Sequence, residues 1–286
     1  MDHISRALER AQAERGNVRG WVLPSPSEQQ DPAVVQPAVR KITLSAAHLK
    51  ERHILSGRGH EDPVITDVYR LLRTRVTQLM AQRGWHTVGV TSAGPRAGKS
   101  LTAINLAISM ARDSAHSVVL VDADLRRPSV ADTLGLPVSV GLIDYLNSGV
   151  ELGDVLQASD IDNLLVLPGR HEASGVAVSE LLTSNKMSSL IQSVRGREKA
   201  SLVVVDLPPV LVGDDVVAVA PFLDCLLIVI EEGKTEIEEL RHTAELIKGF
   251  NLLGTVLNKS AEKSKHFSSY YYHSTGGATS SEAKSS

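Results

Sequence analysis

A chain of 286 residues, 42% of them hydrophobic, can bury one sizeable core with segments to spare at its ends. Its formal charge of −3 excludes a global field that would draw it to nucleic acid or anionic lipid, and no apolar run approaches the roughly 20 residues of a membrane helix. The single cysteine, Cys225, excludes an intramolecular disulfide, and Met1-Asp-His-Ile-Ser-Arg6 lacks a secretory core, so the expectation is a soluble cytoplasmic protein.

In chain order, residues 2–15 read as a short helix with Ile4, Leu8 and Ala11 on one face, either a docking element or a frayed end. From Gly16 to about Arg40, four prolines and little periodicity read as a linker. Asp62-Pro63 is an N-cap followed by a first-turn proline. The helix it opens, through about Gln82, carries Ile65, Val68, Leu72, Val76 and Leu79 at helical spacing. Asp67, Arg70 and Arg73 share its other face, where spacing alone reads them as solvated i, i+3 pairs.

From Trp85 the pattern alternates. Strands are expected over 87–91, 117–122, 163–167, 202–206, 225–230 and 252–257, and helices near 99–112, 178–195, 214–222 and 235–249. Several strands are unbroken Val/Leu/Ile runs, as parallel strands covered on both faces should be. The expected class is α/β, a doubly wound and mostly parallel sheet with a flexible N-terminal segment and a flexible C-terminal tail. The expected organisation is residues 1–60 as helix and linker, 61–258 as the globular domain and 259–286 as the tail. That tail is rich in Ser, Lys, Gly, Thr and Ala. Of ten aromatics in the chain, four stand in Phe267-Ser-Ser-Tyr-Tyr-Tyr272, where no core awaits them.

Three motifs carry chemistry. Val88-Gly-Val-Thr-Ser-Ala-Gly-Pro-Arg-Ala-Gly-Lys-Ser100 reads as strand, loop and helix start. Loop N–H groups and the positive end of the helix converge there on an anion. Lys99 supplies a point charge for outer phosphates and the Ser100 hydroxyl a ligand for Mg²⁺. The strict phosphate-loop (P-loop) pattern is missed by one residue, because Ala93 holds the first glycine's place. Asp122 and Asp124 close the second strand, and the one residue between them turns both side chains toward the sheet's carboxyl edge. Asp206 ends the strand Leu202-Val-Val-Val-Asp206, the form of a Mg²⁺-side carboxylate in a P-loop enzyme. Ligands of such sheets bind beyond the carboxyl ends of the strands, where all three motifs fall.

In this order the motifs resemble the bacterial tyrosine kinases (BY-kinases) of capsule and exopolysaccharide synthesis, over residues 61 to 272. Thr91 to Ser100 is similar to that family's Walker A segment, Asp122-Ala-Asp-Leu-Arg-Arg-Pro128 to its Walker A′, and Asp206-Leu-Pro-Pro209 to its Walker B. Leu165-Val-Leu-Pro-Gly169, Ser179-Glu-Leu-Leu182, Gly233-Lys-Thr235 and Gly254-Thr-Val-Leu-Asn258 also resemble family segments. The resemblance implies a P-loop NTPase-type fold and an ATP- and Mg²⁺-dependent protein-tyrosine autokinase. Gly94, Pro95, Arg96, Ala97, Gly98, Lys99, Ser100 and Leu101 would hold the phosphates, and Asn258 the adenine. Ser100, Asp122 and Asp206 would hold Mg²⁺, with Lys99, Asp122 and Asp124 catalytic and Asp122, then Asp124, the favoured base. Tyr270, Tyr271 and Tyr272 match the autophosphorylated cluster. Asp67, Arg70 and Arg73 fall on the family's oligomerisation pattern, which reverses their reading as a merely solvated face. Implied partners are further copies in a ring, a membrane polysaccharide co-polymerase that recruits the chain to the inner face of the membrane, and a cognate tyrosine phosphatase, with no nucleic acid.

Two departures stand out. Pro95-Arg-Ala-Gly-Lys-Ser100 replaces Pro-Gly-Glu-Gly-Lys-Ser, so Arg96 is strained if the loop requires positive φ there, or else contacts phosphate itself, or leaves the nucleotide more weakly bound. Gly175-Val-Ala-Val178 replaces Pro-Asn-Pro before Ser179. The rival readings are a ParA- or MinD-like ATPase switch, against which no lysine precedes Lys99 in the loop, and a degenerate nucleotide-binding regulator of polysaccharide export.

Overall fold

The computed structural model describes residues 39–56, 62–113, 117–171, 178–195 and 201–260. The chain divides into two compact units, Met1–Gln36, which lies outside the described residues, and Pro37–Ser286. The expected N-terminal helix and the tyrosine cluster also lie outside them.

The second unit is built on eight strands: β1 (Arg40–Ile42), β2 (Thr87–Ser92), β3 (Val118–Asp122), β4 (Gln157–Ser159), β5 (Leu164–Leu167), β6 (Leu202–Asp206), β7 (Cys225–Glu231) and β8 (Leu252–Asn258). Their order in one sheet is β1-β4-β5-β3-β6-β2-β7-β8. The run from β5 to β8 is parallel throughout, β4 lies antiparallel on β5, and β1 pairs parallel with β4. The helices are α1 (Ala46–Glu51), α2 (Pro63–Arg83), α3 (Lys99–Ala111), α4 (Val130–Leu134), α5 (Leu142–Ser148), α6 (Leu152–Val155), α7 (Val178–Leu182), α8 (Asn185–Arg195), α9 (Asp215–Val219) and α10 (Ile237–Leu246).

The unbroken apolar strands follow from two buried faces. Val118 and Leu120 of β3 join one core cluster with α1 to α4, while Val119 and Val121 join the opposite cluster with α5 to α9. Strand β6 repeats the pattern: Leu202 and Val204 face one way, Val203 and Val205 the other. A strand with period-2 side chains buried on both sides has no polar positions to spare. Polar residues therefore gather at the strand ends, where the parallel run places its functional edge.

Three expectations are corrected. The compact unit begins well before residue 61: Ile42, Leu44, Leu49, Ile54 and Leu55 are all buried in the main core. A three-residue strand and a six-residue helix are too short to show a period. In α2, capped by the Asp62 side chain on Val64 N–H at 2.8 Å, the core stripe is Ile65, Tyr69, Leu72, Val76 and Met80. Val68 and Leu79 are exposed, at 46% and 37%; Ile65, Leu72 and Val76 stand where the sequence pattern puts them, and Tyr69 and Met80, each one residue further on, complete the stripe. The helix expected over 178–195 is two, because Ser184 interrupts it by turning its hydroxyl onto the Leu181 carbonyl at 2.6 Å.

Candidate active site

Register brings the motifs together. Asp122 of β3 stands directly opposite Asp206 of β6, and Asp206 opposite Val90 of β2. On the far side of β2, Glu231 of β7 stands opposite Asn258 of β8. Five adjacent strands thus end on one line, with the 93–98 loop rising from β2 into α3.

The loop has the backbone that an anion cradle needs. Arg96 lies at φ +67° and Gly98 at +94°, both left-handed. An added Cβ at Gly98 would meet Asn258 Nδ2 at 2.1 Å, so only glycine fits. Gly98 is also the N-cap of α3 and brings no side chain to its first-turn N–H groups, which leaves those donors to a ligand. Arg96 has no such freedom; a non-glycine residue held there costs about 1–2 kcal/mol. Its side chain is exposed. Gly94 accepts Ser92 Oγ at its carbonyl at 2.7 Å, fixing the loop's entry.

Lys99 is the hub of the charges. Its Nζ lies 2.8 Å from Asp124 Oδ2, 3.5 Å from Asp206 Oδ1 and 3.2 Å from Ser100 Oγ. The side chain is only 10% exposed. Burial alone would lower its pKa, but Asp206, Asp124 and Asp122 outweigh it and hold the ammonium above its ordinary value. Asp122 is fully buried; its Oδ2 accepts Ser129 N–H at 2.9 Å and Val130 N–H at 3.0 Å, and its Oδ1 accepts Asp124 N–H at 3.3 Å. Asp206 is equally buried, and its Oδ2 has no hydrogen-bond partner. A buried carboxylate oxygen left bare beside Ser100 is a poor arrangement for a finished core, and it fits a site awaiting a hard cation.

Residues 85–285 match the family model described as "ParA: NUBPL iron-transfer P-loop NTPase". Among curated proteins, the chain is 34% identical to tyrosine-protein kinase YwqD of Bacillus subtilis, over 73% of this chain and 86% of that one. The chain belongs to the bacterial tyrosine kinase family. It is 29% identical to the succinoglycan biosynthesis transport protein ExoP of Rhizobium meliloti, over 73% of this chain but 28% of ExoP, so it spans about a quarter of that longer relative. The kinase domain of Escherichia coli tyrosine kinase ETK superposes with a TM-score of 0.65 at 25% identity, covering 78% of this chain and 91% of that domain. Among the described residues, no helix of this chain is long and apolar enough to cross a membrane.

The acids of this BY-kinase site carry a pH signature. Burial, then the Asp206 charge, pushes Asp122 up to about 7 against the Val130, Ser129 and Lys99 contacts. Burial likewise pushes Asp206 up to about 6 against Lys99 and Ser100. A carboxyl whose folded pKa is raised stabilises the fold fully below its unfolded pKa and loses that contribution as pH climbs through the folded value. Asp144 has the opposite sign: its Arg170 partner, against burial, holds it low. Asp224 is also low, its burial being outweighed by the N–H groups of His86 and Thr87. Both of these contributions are complete by about pH 5. Thermal unfolding of nucleotide-free protein should therefore show a lower Tm at pH 8 than at pH 5.5. Mg-ATP should raise Tm more at pH 8, because a metal takes the ionised carboxylates.

Among the residues assigned by resemblance, Asn258 stands at the loop: its Nδ2 donates to the Ala97 carbonyl at 2.8 Å. Leu101 packs on the core beside the cradle. On α2, Arg70 pairs with Asp67 at 3.0 Å, whereas Arg73 turns inward, donating to the Ser109 carbonyl at 3.3 Å and lying 4.0 Å from Asp113. Three neighbours of the site carry no motif of their own. Ser129 Oγ donates to Ser100 Oγ at 3.0 Å, Asp215 takes Arg126 from Walker A′ at 2.5 Å, and Lys259 bonds the Arg96 carbonyl at 2.7 Å. Their only sequence signal is adjacency, Ser129 to the Arg-Arg-Pro end of Walker A′ and Lys259 to Asn258.

Proposed function

We propose that this chain transfers the ATP γ-phosphoryl to Tyr270, Tyr271 and Tyr272 of neighbouring copies and thereby regulates exopolysaccharide or capsule synthesis and export. The observation that carries the reading is Lys99, held between Asp124 and Asp206 at the start of α3, on the same edge as Asp122. Phosphoryl transfer needs positioning and charge neutralisation more than covalent help from the protein. The cradle supplies both: the backbone N–H groups between Gly94 and Leu101, all but that of Pro95, which has none, join Lys99 to offset outer-phosphate charge. Ser100 and Asp206, with Asp122, would hold Mg²⁺, which when bound neutralises charge developing between the β- and γ-phosphates. Asp122, fixed by three backbone N–H groups and titrating near neutrality, is the base assigned to the tyrosine hydroxyl, with Asp124 second.

The α2 face supports assembly of copies. Beside the Asp67–Arg70 pair, Val64, Val68 and Leu71 are exposed at 56%, 46% and 50% and, four and three residues apart, share one side of the helix, where a second copy could cover them. Arg73 would join that contact only by leaving Ser109. In this reading each tyrosine phosphate adds roughly −1.5 to −2 charges to crowded tails and loosens the ring. YwqD is named a tyrosine-protein kinase and ExoP a succinoglycan biosynthesis transport protein, and with that likeness in support the proposal extends to a membrane co-polymerase activator, a cognate phosphatase and a cytoplasmic position at the membrane.

The test is to incubate full-length protein with Mg-ATP and probe for phosphotyrosine. Tyr270→Phe, Tyr271→Phe and Tyr272→Phe together should abolish the signal. Mixing a Lys99→Met subunit with an active subunit lacking the tail should put phosphate on the inactive one. ATP hydrolysis with no phosphotyrosine would favour the ParA-like switch, and nucleotide binding alone the regulator.

A further inference from the structure

Arg96 and Lys259 are both non-glycine residues in left-handed backbone, at φ +67° and +58°, and they touch. Lys259 Nζ donates to the Arg96 carbonyl at 2.7 Å, and the neighbouring Asn258 Nδ2 donates to the Ala97 carbonyl at 2.8 Å. Two consecutive loop carbonyls are thus drawn to the end of β8. In a trans peptide unit the N–H points opposite to the carbonyl. Fixing these two carbonyls therefore fixes the Ala97 and Gly98 N–H groups on the other side, as a nest for an anion requires.

Lys259 is itself held. Its Nζ lies 3.1 Å from Glu231 Oε2, while Lys234 takes Oε1 at 2.8 Å. Glu231 is 7% exposed at the end of β7. Its N–H bonds Thr235 Oγ1 at 3.0 Å, and Glu232 N–H bonds the Asn258 carbonyl at 3.0 Å. The Glu231 carboxyl is kept below its usual range by Lys234 and Lys259. A lysine ammonium held by a buried carboxylate and aimed at one carbonyl is a preorganised donor, because part of its rotamer freedom is already spent.

We infer that Lys259, oriented by Glu231, is a positioning residue for the phosphate cradle: it holds Arg96 in the left-handed conformation that a glycine would adopt unaided. The inference rests on reading the 94–101 loop as a nucleotide cradle. It also explains how the chain keeps a working loop with arginine at that place. The consequence is a dependence between two positions. The clamp matters where residue 96 resists its own backbone, and it matters little where residue 96 is glycine.

The experiment uses full-length protein and a fluorescent ATP analogue with Mg²⁺. Lys259→Met should weaken binding about tenfold, which is about 1.4 kcal/mol, and Lys259→Arg should restore most of it. In an Arg96→Gly background the same Lys259→Met should cost less than about threefold. Equal losses in the two backgrounds would overturn the inference, since Lys259 would then be acting as a charge on the phosphates, and so would no loss in either. A second readout needs no nucleotide: trypsin should cut after Arg96 at least about threefold faster in Lys259→Met than in wild type, and an unchanged rate would also overturn the clamp. If wild type bound no nucleotide, the cradle reading would fail while trypsin still judged the clamp.

Discussion

Lys99→Met should lower phosphotyrosine formation at least about a hundredfold, the usual scale for removing one preorganised charge from a developing anion. The same substitution should destabilise the fold in a pH-dependent way. Lys99 lies 2.8 Å from Asp124 and 3.5 Å from Asp206, with both carboxylates almost wholly buried. Taking away the buried cation leaves its partners unpaired, a loss of about 3–5 kcal/mol where they are ionised. With Lys99 gone, the pKa values of Asp122 and Asp206 rise further above about 7 and about 6. At pH 5.5 those carboxyls take up protons and escape the penalty; at pH 8 they do not. Urea denaturation of Lys99→Met against wild type should therefore show a clearly larger ΔΔG at pH 8 than at pH 5.5. A penalty of the same size at both pH values would mean that the buried acids are not what Lys99 neutralises.

Gly98→Ala is expected to do comparable damage by pure geometry. The residue sits at φ +94°, and its Cβ would be built 2.1 Å from Asn258 Nδ2. Relief requires moving Asn258, which breaks its bond to the Ala97 carbonyl, or moving the loop off its left-handed turn. Either way the N–H groups of the cradle lose their aim, and Mg-ATP affinity should fall at least about thirtyfold, roughly 2 kcal/mol. Gly149 is the control. It caps α5 at φ +71° with nothing within 4 Å of an added Cβ. Gly149→Ala should cost only the left-handed penalty of about 1 kcal/mol in stability and leave nucleotide affinity unchanged. Isothermal titration of both variants separates the two, and equal affinity losses would contradict the steric account.

The parallel core was legible because burial on both faces forces unbroken apolar runs, and β3, β6 and β7 could be placed to within a residue. The short strands β1 and β4 were not, since three residues show no period and β1 finds its partner more than a hundred positions along the chain. Two positions of the α2 stripe were misread for a related reason. Val68 and Leu79 are as apolar as Leu72, and only the packing of Tyr69 and Met80 against α3 and the sheet shows which stripe is inside. The functional edge divides in the same way. Lys99, Ser100, Asp122, Asp124 and Asp206 announce themselves, because local spacing at strand ends is enough to point to a phosphate and a cation.

The residues that hold those groups in place do not announce themselves. Ser129, Glu231 and Lys259 act across strand register, and a register is a property of the sheet rather than of any one segment. By itself, the sequence determined which groups stand at the edge, since a strand–loop–helix with Gly98-Lys99-Ser100 and acids closing the next strands are both read from local pattern. Only the tertiary structure decided how Arg96 is accommodated. The answer lies 163 positions away at Lys259, whose charge reaches that carbonyl because β8 closes the sheet beside β7.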